Sequence, residues 1–130
     1  MKNFENYALG SWIQGEGEGK SLYNAINGKQ IGIASSKGLD FSKMMHYARN
    51  VGGPKLRKMT FQERGLMLKK LALHLHSIKR KFYPVSFQTG ATKVDSWIDI
   101  EGGIGNLFAN ASLRRQFPDL PFHVEGSAAP

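Results

Sequence analysis

No cysteine occurs anywhere in the 130 residues. That absence excludes disulfides, thiolate metal sites and any cysteine nucleophile within the chain. Long apolar runs are missing as well, and none approaches the eighteen or so residues of a membrane span. The N-terminus MKNFENYALG puts acids and polar residues where a secretory signal needs an apolar stretch. A cytoplasmic protein with no membrane partner is therefore expected. Acids are scarce: ten Asp and Glu stand against 18 Lys and Arg, for a net charge of +8 and a pI near 9.9. Such an excess points to an anionic partner, or to a solvated basic lobe of a larger, balanced protein.

What is present suffices for one domain's core, with 41% apolar residues. Residues 5–35 read as a β-arm. Phe4–Ile13 is apolar and aromatic, Gly15-Glu16-Gly17-Glu18-Gly19 is an acidic turn, and Leu22–Ile26 and Gln30–Ala34 flank Asn27-Gly28. Asn-Gly is a strong signal for a type I′ hairpin. Three helices follow, at about 40–51, 60–88 and 95–116. Asp40 is placed to cap the first, which is expected to end at Gly52-Gly53-Pro54, with KLRKM as a linker. Thr60-Phe61-Gln62-Glu63 forms a capping box. Met67, Leu68, Leu71, Leu75, Ile78 and Phe82 then recur at helical spacing as one stripe to bury. Pro84 should kink or end that helix, and Gly90 is a plausible C-cap. Asp95 is the expected N-cap of the third helix. Residues 117–130 read as an extended connector that stops as if cut in a linker. The fold class is thus an α+β segment.

The third helix holds a puzzle, since Gly102-Gly103-x-Gly105 costs roughly 1 kcal/mol per glycine relative to alanine. A phosphate loop does not explain it, because no strand precedes it and the spacing is not G-x-G-x-x-G. Close packing against a neighbouring helix is the simpler reading. The Gly15–Gly19 turn carries two glutamates, which would repel a phosphate. Asp95, Asp99 and Glu101 invite acid–base work, but nothing signals the burial that would raise a pKa, and capping or solvation explains them more simply. His74 and His76 stand two apart on a helix and point about 200° away from each other, so they cannot chelate. His46 and His123 lie on separate segments, and no metal is expected. Phe82 and Tyr83 beside the basic helix suggest nucleic acid. No nucleic-acid motif appears, however, and the core consumes most of the aromatics.

The ordered set TFQER, QTGAT, DSWIDIEGGIG and LFANASL, with GLDF and VGGPKLRKMTF upstream, resembles the aldehyde dehydrogenase half of the PaaZ-type family. These are phenylacetate-degradation proteins in which an oxepin-CoA hydrolase is fused to an aldehyde dehydrogenase. The resemblance covers residues 5–126, and Asn24-x-x-Asn27-Gly28 is similar to the N-P-x-T-G turn of aldehyde dehydrogenases. Pro84 departs from it, standing where the family carries a helix-compatible residue. The resemblance implies that residues 1–130 are the N-terminal part of an aldehyde dehydrogenase domain in an α/β fold, with the remainder of that domain as partner. It further implies a homo-oligomeric parent that oxidises a CoA-linked semialdehyde with NADP, through a cysteine thiolate and a glutamate-activated water. None of that machinery lies in this chain, so no catalytic or cofactor-binding residue is assigned. By resemblance, the third helix borders the substrate tunnel, making Trp97, Asp99, Gly102 and Gly103 candidates for its rim. The alternative is a free-standing basic helical module that binds nucleic acid.

Overall fold

A computed structural model describes residues 2–126. Its first element is a hairpin. Strand β1 (Asn3–Ala8) turns through Leu9 and Gly10 into β2 (Ser11–Gln14), with Ala8 opposite Ser11. Leu9 (φ 55°) and Gly10 (φ 81°) both take positive φ, as a primed two-residue turn demands. The apolar stretch Phe4–Ile13 is therefore two strands, not one. Strands β3 (Lys20–Tyr23) and β4 (Gln30–Ala34) form a second antiparallel pair, and β4 joins β1 in parallel to give the order β2-β1-β4-β3. The Phe4 ring lies over Gly32 and fills the space a side chain would need there.

The Asn27-Gly28 turn differs from expectation. Only Gly28 (φ 67°) is left-handed. The Asn24 and Asn27 side chains accept from the backbone N–H groups of Ile26 and Lys29 (2.9 and 3.0 Å). These two local Asx bonds favour a longer loop over the two-residue primed turn.

Helix α1 (Phe41–Tyr47) is capped by Asp40, whose side chain accepts from the Lys43 N–H. It does not end at the glycines. A π-helical turn (Ala48–Gly52) carries it into α2 (Gly53–Lys58), so most of the expected linker is helical. The Gly53 N–H reaches back to the Ala48 carbonyl, and this wider turn accommodates Pro54, which has no N–H and would crowd a tighter one.

Helix α3 (Phe61–Ile78) opens with the complete Thr60–Glu63 capping box. A 3-10 turn (Lys79–Lys81) and the short α4 (Tyr83–Phe87) follow, with Pro84 in the first turn of α4, where a missing N–H costs nothing. Gly90 (φ 87°) closes that segment. Helix α5 (Lys93–Ser112) starts earlier than expected. Thr92 is its N-cap, and Asp95 is the reciprocal third residue of the capping box. A 3-10 turn (Leu113–Gln116) ends it. The chain then folds back over the start of α3. Phe117 stacks on Phe61 (4.6 Å between centroids), Phe61 N–H donates to the Leu120 carbonyl, and Arg64 donates to that of Pro121 (2.8 Å). This stretch is therefore packed rather than a free connector; residues 127–130 lie outside the described residues.

The core lies between α3 and α5 and is built from small residues: Ala72, Ser96 and Ala111 are essentially inaccessible, and Ile104 is buried. Gly65 sets the closest approach. A Cβ there would stand 2.7 Å from Arg114 carbons and 2.9 Å from the Ala111 carbonyl oxygen. The expected stripe is thus displaced. The face against α5 runs through Gly65, Leu68, Ala72 and Leu75, whereas Met67 and Leu71 are exposed. Leucine periodicity located the helix and placed Leu68 and Leu75 on its covered side, with Ile78 and Phe82 half-buried. It missed Gly65 and Ala72, where the closest approach of the backbones admits only small side chains.

Candidate functional site

At 3.6 residues per turn, the side of α5 facing α3 runs through Ser96, Ile100, Ile104 and Ala111. Trp97, Asp99, Gly102 and Gly103 are all exposed. Asp99, Gly102 and Gly103 lie within about 100° of one another around the axis, so they share a side. Trp97 points about 160° away from Asp99 and lies on the other flank. Gly102 and Gly103 therefore floor one surface, with Asp99 between them around the axis and about a turn nearer the helix start, and the Trp97 indole stands apart. A Cβ added at Gly102, Gly103 or Gly105 would meet nothing within 4 Å. Close helix packing does not account for these glycines among the described residues; Gly65, which no motif singled out, performs that role.

The three carboxylates are separately committed. Asp95 Oδ2 accepts from the Thr92 hydroxyl (2.6 Å) and the Thr92 N–H (3.2 Å), and these bonds hold its pKa below the ordinary 3.8. An acid catalyst needs the opposite shift. Glu101 is paired with Lys79 (2.6 Å), joining α5 to the turn after α3, with both side chains largely covered. Asp99 faces solvent. The buried Ser96 hydroxyl is met by that of Ser86 (2.8 Å), which ties α4 to α5.

His74 and His76 are exposed on opposite flanks of α3. His123 sits edge-on to the Phe117 ring, and His46 closes α1. No group of three His, Asp or Glu gathers into a metal-holding cluster among the described residues. Phe82 and Tyr83 are partly buried, and Tyr83 packs against Phe87. No described helix is long and apolar enough to cross a membrane. Sequence reasoning missed a groove of about 770 Å³ between the sheet and α4, lined by Phe4, Leu22, Tyr23, Ala25, Val85 and Gln88 among others. The Ala25 N–H donates to the Gln88 carbonyl (2.8 Å) along this seam. It depends on a contact between segments some sixty residues apart, so no local motif announces it.

No family model matches the chain. Over 100 residues, 76% of its length, it is 34% identical to 3,4-dehydroadipyl-CoA semialdehyde dehydrogenase from Aromatoleum evansii. The match spans 19% of that relative. This likeness supports an aldehyde dehydrogenase-like segment, and the α+β architecture is compatible with it.

Proposed function

We propose that the chain is the N-terminal part of an NADP-dependent aldehyde dehydrogenase domain that oxidises a CoA-linked semialdehyde to the acid. One observation carries this reading: the 34% identity to a dehydrogenase whose name specifies such a substrate. The ordered motifs favour a PaaZ-type parent, cytoplasmic and homo-oligomeric, joined to an oxepin-CoA hydrolase.

The chemistry assigns this segment a scaffolding role. Attack on the aldehyde needs a thiolate, and none of the 130 residues is cysteine, so the nucleophile belongs to polypeptide outside the segment. The residues present do not form a dinucleotide site either. The Gly15–Gly19 loop brings two glutamates where a pyrophosphate would lie, and the segment before α5 is the short helix α4 and a turn, not a strand. The contribution of α5 is a wall. With no side chain at Gly102 or Gly103 and open space beyond both, that wall leaves room for an acyl-CoA, while Asp99 stands on the same side about a turn earlier and Trp97 lies on the other flank.

Incubated alone with a CoA-linked semialdehyde and NADP, the chain should produce no reduced cofactor; turnover above buffer background would overturn the scaffolding role. In the complete dehydrogenase, Gly103→Leu should raise KM for the CoA-linked substrate and spare a short free aldehyde. Equal losses on both substrates, with lowered stability, would refute the rim assignment.

A further inference from the structure

The described residues contain one ion pair. Lys79 Nζ meets Glu101 Oε1 at 2.6 Å, with side chains 27% and 21% accessible. Asp40, Glu63 and Asp95 also have partners, but each serves the backbone at a helix start. Stability does not explain the exception, because the cost of drying two charges roughly cancels their attraction. Nor does helix polarity. Lys79 closes α3, its N–H donating to the His76 carbonyl, and a cation is favoured at that end. Exposed Arg80 and Lys81 supply that charge without being covered. What a half-covered pair does provide is a fixed distance, since separating it strands a charge that water does not fully reach.

Its place on α5 gives that distance a use. Glu101 directly precedes Gly102-Gly103-x-Gly105, the part of α5 with the freest backbone and the fewest side chains to pack. The α3–α5 contact runs through Gly65, Ala72 and Ala111, whose side chains are too short to interlock. Leu68, Leu75 and Ile104 add apolar area, which is non-directional. Directional ties between α5 and its neighbours are therefore few. The Ser86 hydroxyl meets Ser96 (2.8 Å) before the glycines, and Gln62 reaches the Arg114 carbonyl (2.8 Å) beyond the end of the helix. Lys79 holds Glu101 beside the glycines themselves. Around the axis Glu101 is about 40° from Trp97, one turn earlier, and about 100° and 160° from Gly102 and Gly103. Any shift of Glu101 along α3 carries the indole and the glycine surface with it.

We propose that Lys79 and Glu101 are positioning residues: their ion pair sets where the glycine segment of α5 stands, and with it the opening left for a CoA-linked substrate. The inference rests on the reading of α5 as a wall of the substrate path. Both side chains act through the helix rather than on the substrate. Displacements of about an ångström at substrate-positioning groups cost enzymes up to about a hundredfold, so a tie that holds the wall in register has a kinetic consequence.

Two measurements test this. In the 130-residue chain, amide hydrogen exchange across residues 102–106 should quicken about tenfold in Lys79→Met and in Glu101→Gln, each with wild-type helicity by circular dichroism. Lys79→Arg keeps the charge and should exchange like wild type. Residues 64–68 of α3 are the internal control and should not change. In the complete dehydrogenase, Lys79→Met and Glu101→Gln should raise KM for the CoA-linked semialdehyde about three- to tenfold. Their kcat and their KM for a short free aldehyde should stay at wild-type values, and Lys79→Arg should keep wild-type discrimination. Unchanged exchange at residues 102–106 would overturn the proposal, as would a rise shared equally with the control segment. Equal losses on both substrates, or Lys79→Arg behaving like Lys79→Met, would overturn it too. Gly103→Leu separates this proposal from the reading beneath it. If Gly103→Leu discriminates between the substrates and the pair variants do not, the positioning role alone fails. If none of them discriminates, the wall assignment fails and the positioning role falls with it.

Discussion

Two glycines on neighbouring helices should respond differently to alanine. Gly65 and Gly102 both have ordinary helical backbones, so each replacement gains about 0.8–1.0 kcal/mol of helix propensity. At Gly102 nothing lies within 4 Å of the new methyl, and the full gain of about 1 kcal/mol should appear as stability. At Gly65 the methyl would sit 2.7 Å from Cβ and Cδ of Arg114 and 2.9 Å from the Ala111 carbonyl oxygen. The Arg114 Cδ can swing aside. Its Cβ and the Ala111 carbonyl are backbone-fixed, so α3 and α5 must separate. Overpacking of this kind costs about 1–3 kcal/mol, which offsets or exceeds the propensity gain and leaves a net loss of about 0–2 kcal/mol. Urea titration followed by the helical circular dichroism signal reads both. With m of about 1–3 kcal/mol/M, the midpoint should rise by about 0.3–1 M for Gly102→Ala and, for Gly65→Ala, stay level or fall by up to about 2 M. A Gly65→Ala protein as stabilised as Gly102→Ala would show that the two helices are not in the contact described.

Two further outcomes follow from local geometry. Leu9 is a non-glycine residue at φ 55°, a conformation costing roughly 1–2 kcal/mol; Leu9→Asn should therefore stabilise the β1–β2 hairpin by about 0.5–1 kcal/mol, and a neutral or destabilising effect in the same titration would refute the turn assignment. The Asp95 carboxyl has its pKa lowered by the Thr92 hydroxyl and N–H. Its contribution is therefore fully present above the unfolded value near 3.9 and lost as pH falls through the lower folded value. Helicity of α5 should fall on acidification below about pH 4, and Asp95→Asn should remove that component, while an unchanged acid titration would contradict the capping box.

Local chemistry was legible in the sequence wherever a few adjacent residues decide the outcome. Asp40, the Thr60–Glu63 box and the break near Pro84 all appear as read, because caps and prolines act on groups within one turn of themselves. The absence of cysteine was equally decisive, since the chemistry of a thiolate cannot be improvised from other side chains. Only the tertiary structure settled which faces meet. Leucines at helical spacing marked α3 and gave Leu68 and Leu75 of its contact with α5, yet the closest approach is at Gly65 and Ala72, because closely approaching backbones select small residues rather than large ones. The three glycines of α5 advertise close packing in one dimension and look into open space in three. Asn27-Gly28 favours a primed turn in isolation, but the Asx bonds of Asn24 and Asn27 draw it into a longer loop. The Ala25–Gln88 seam and the parallel pairing of β1 with β4 join segments far apart in the chain, where contact is decided by packing and loop closure and no local propensity can report it.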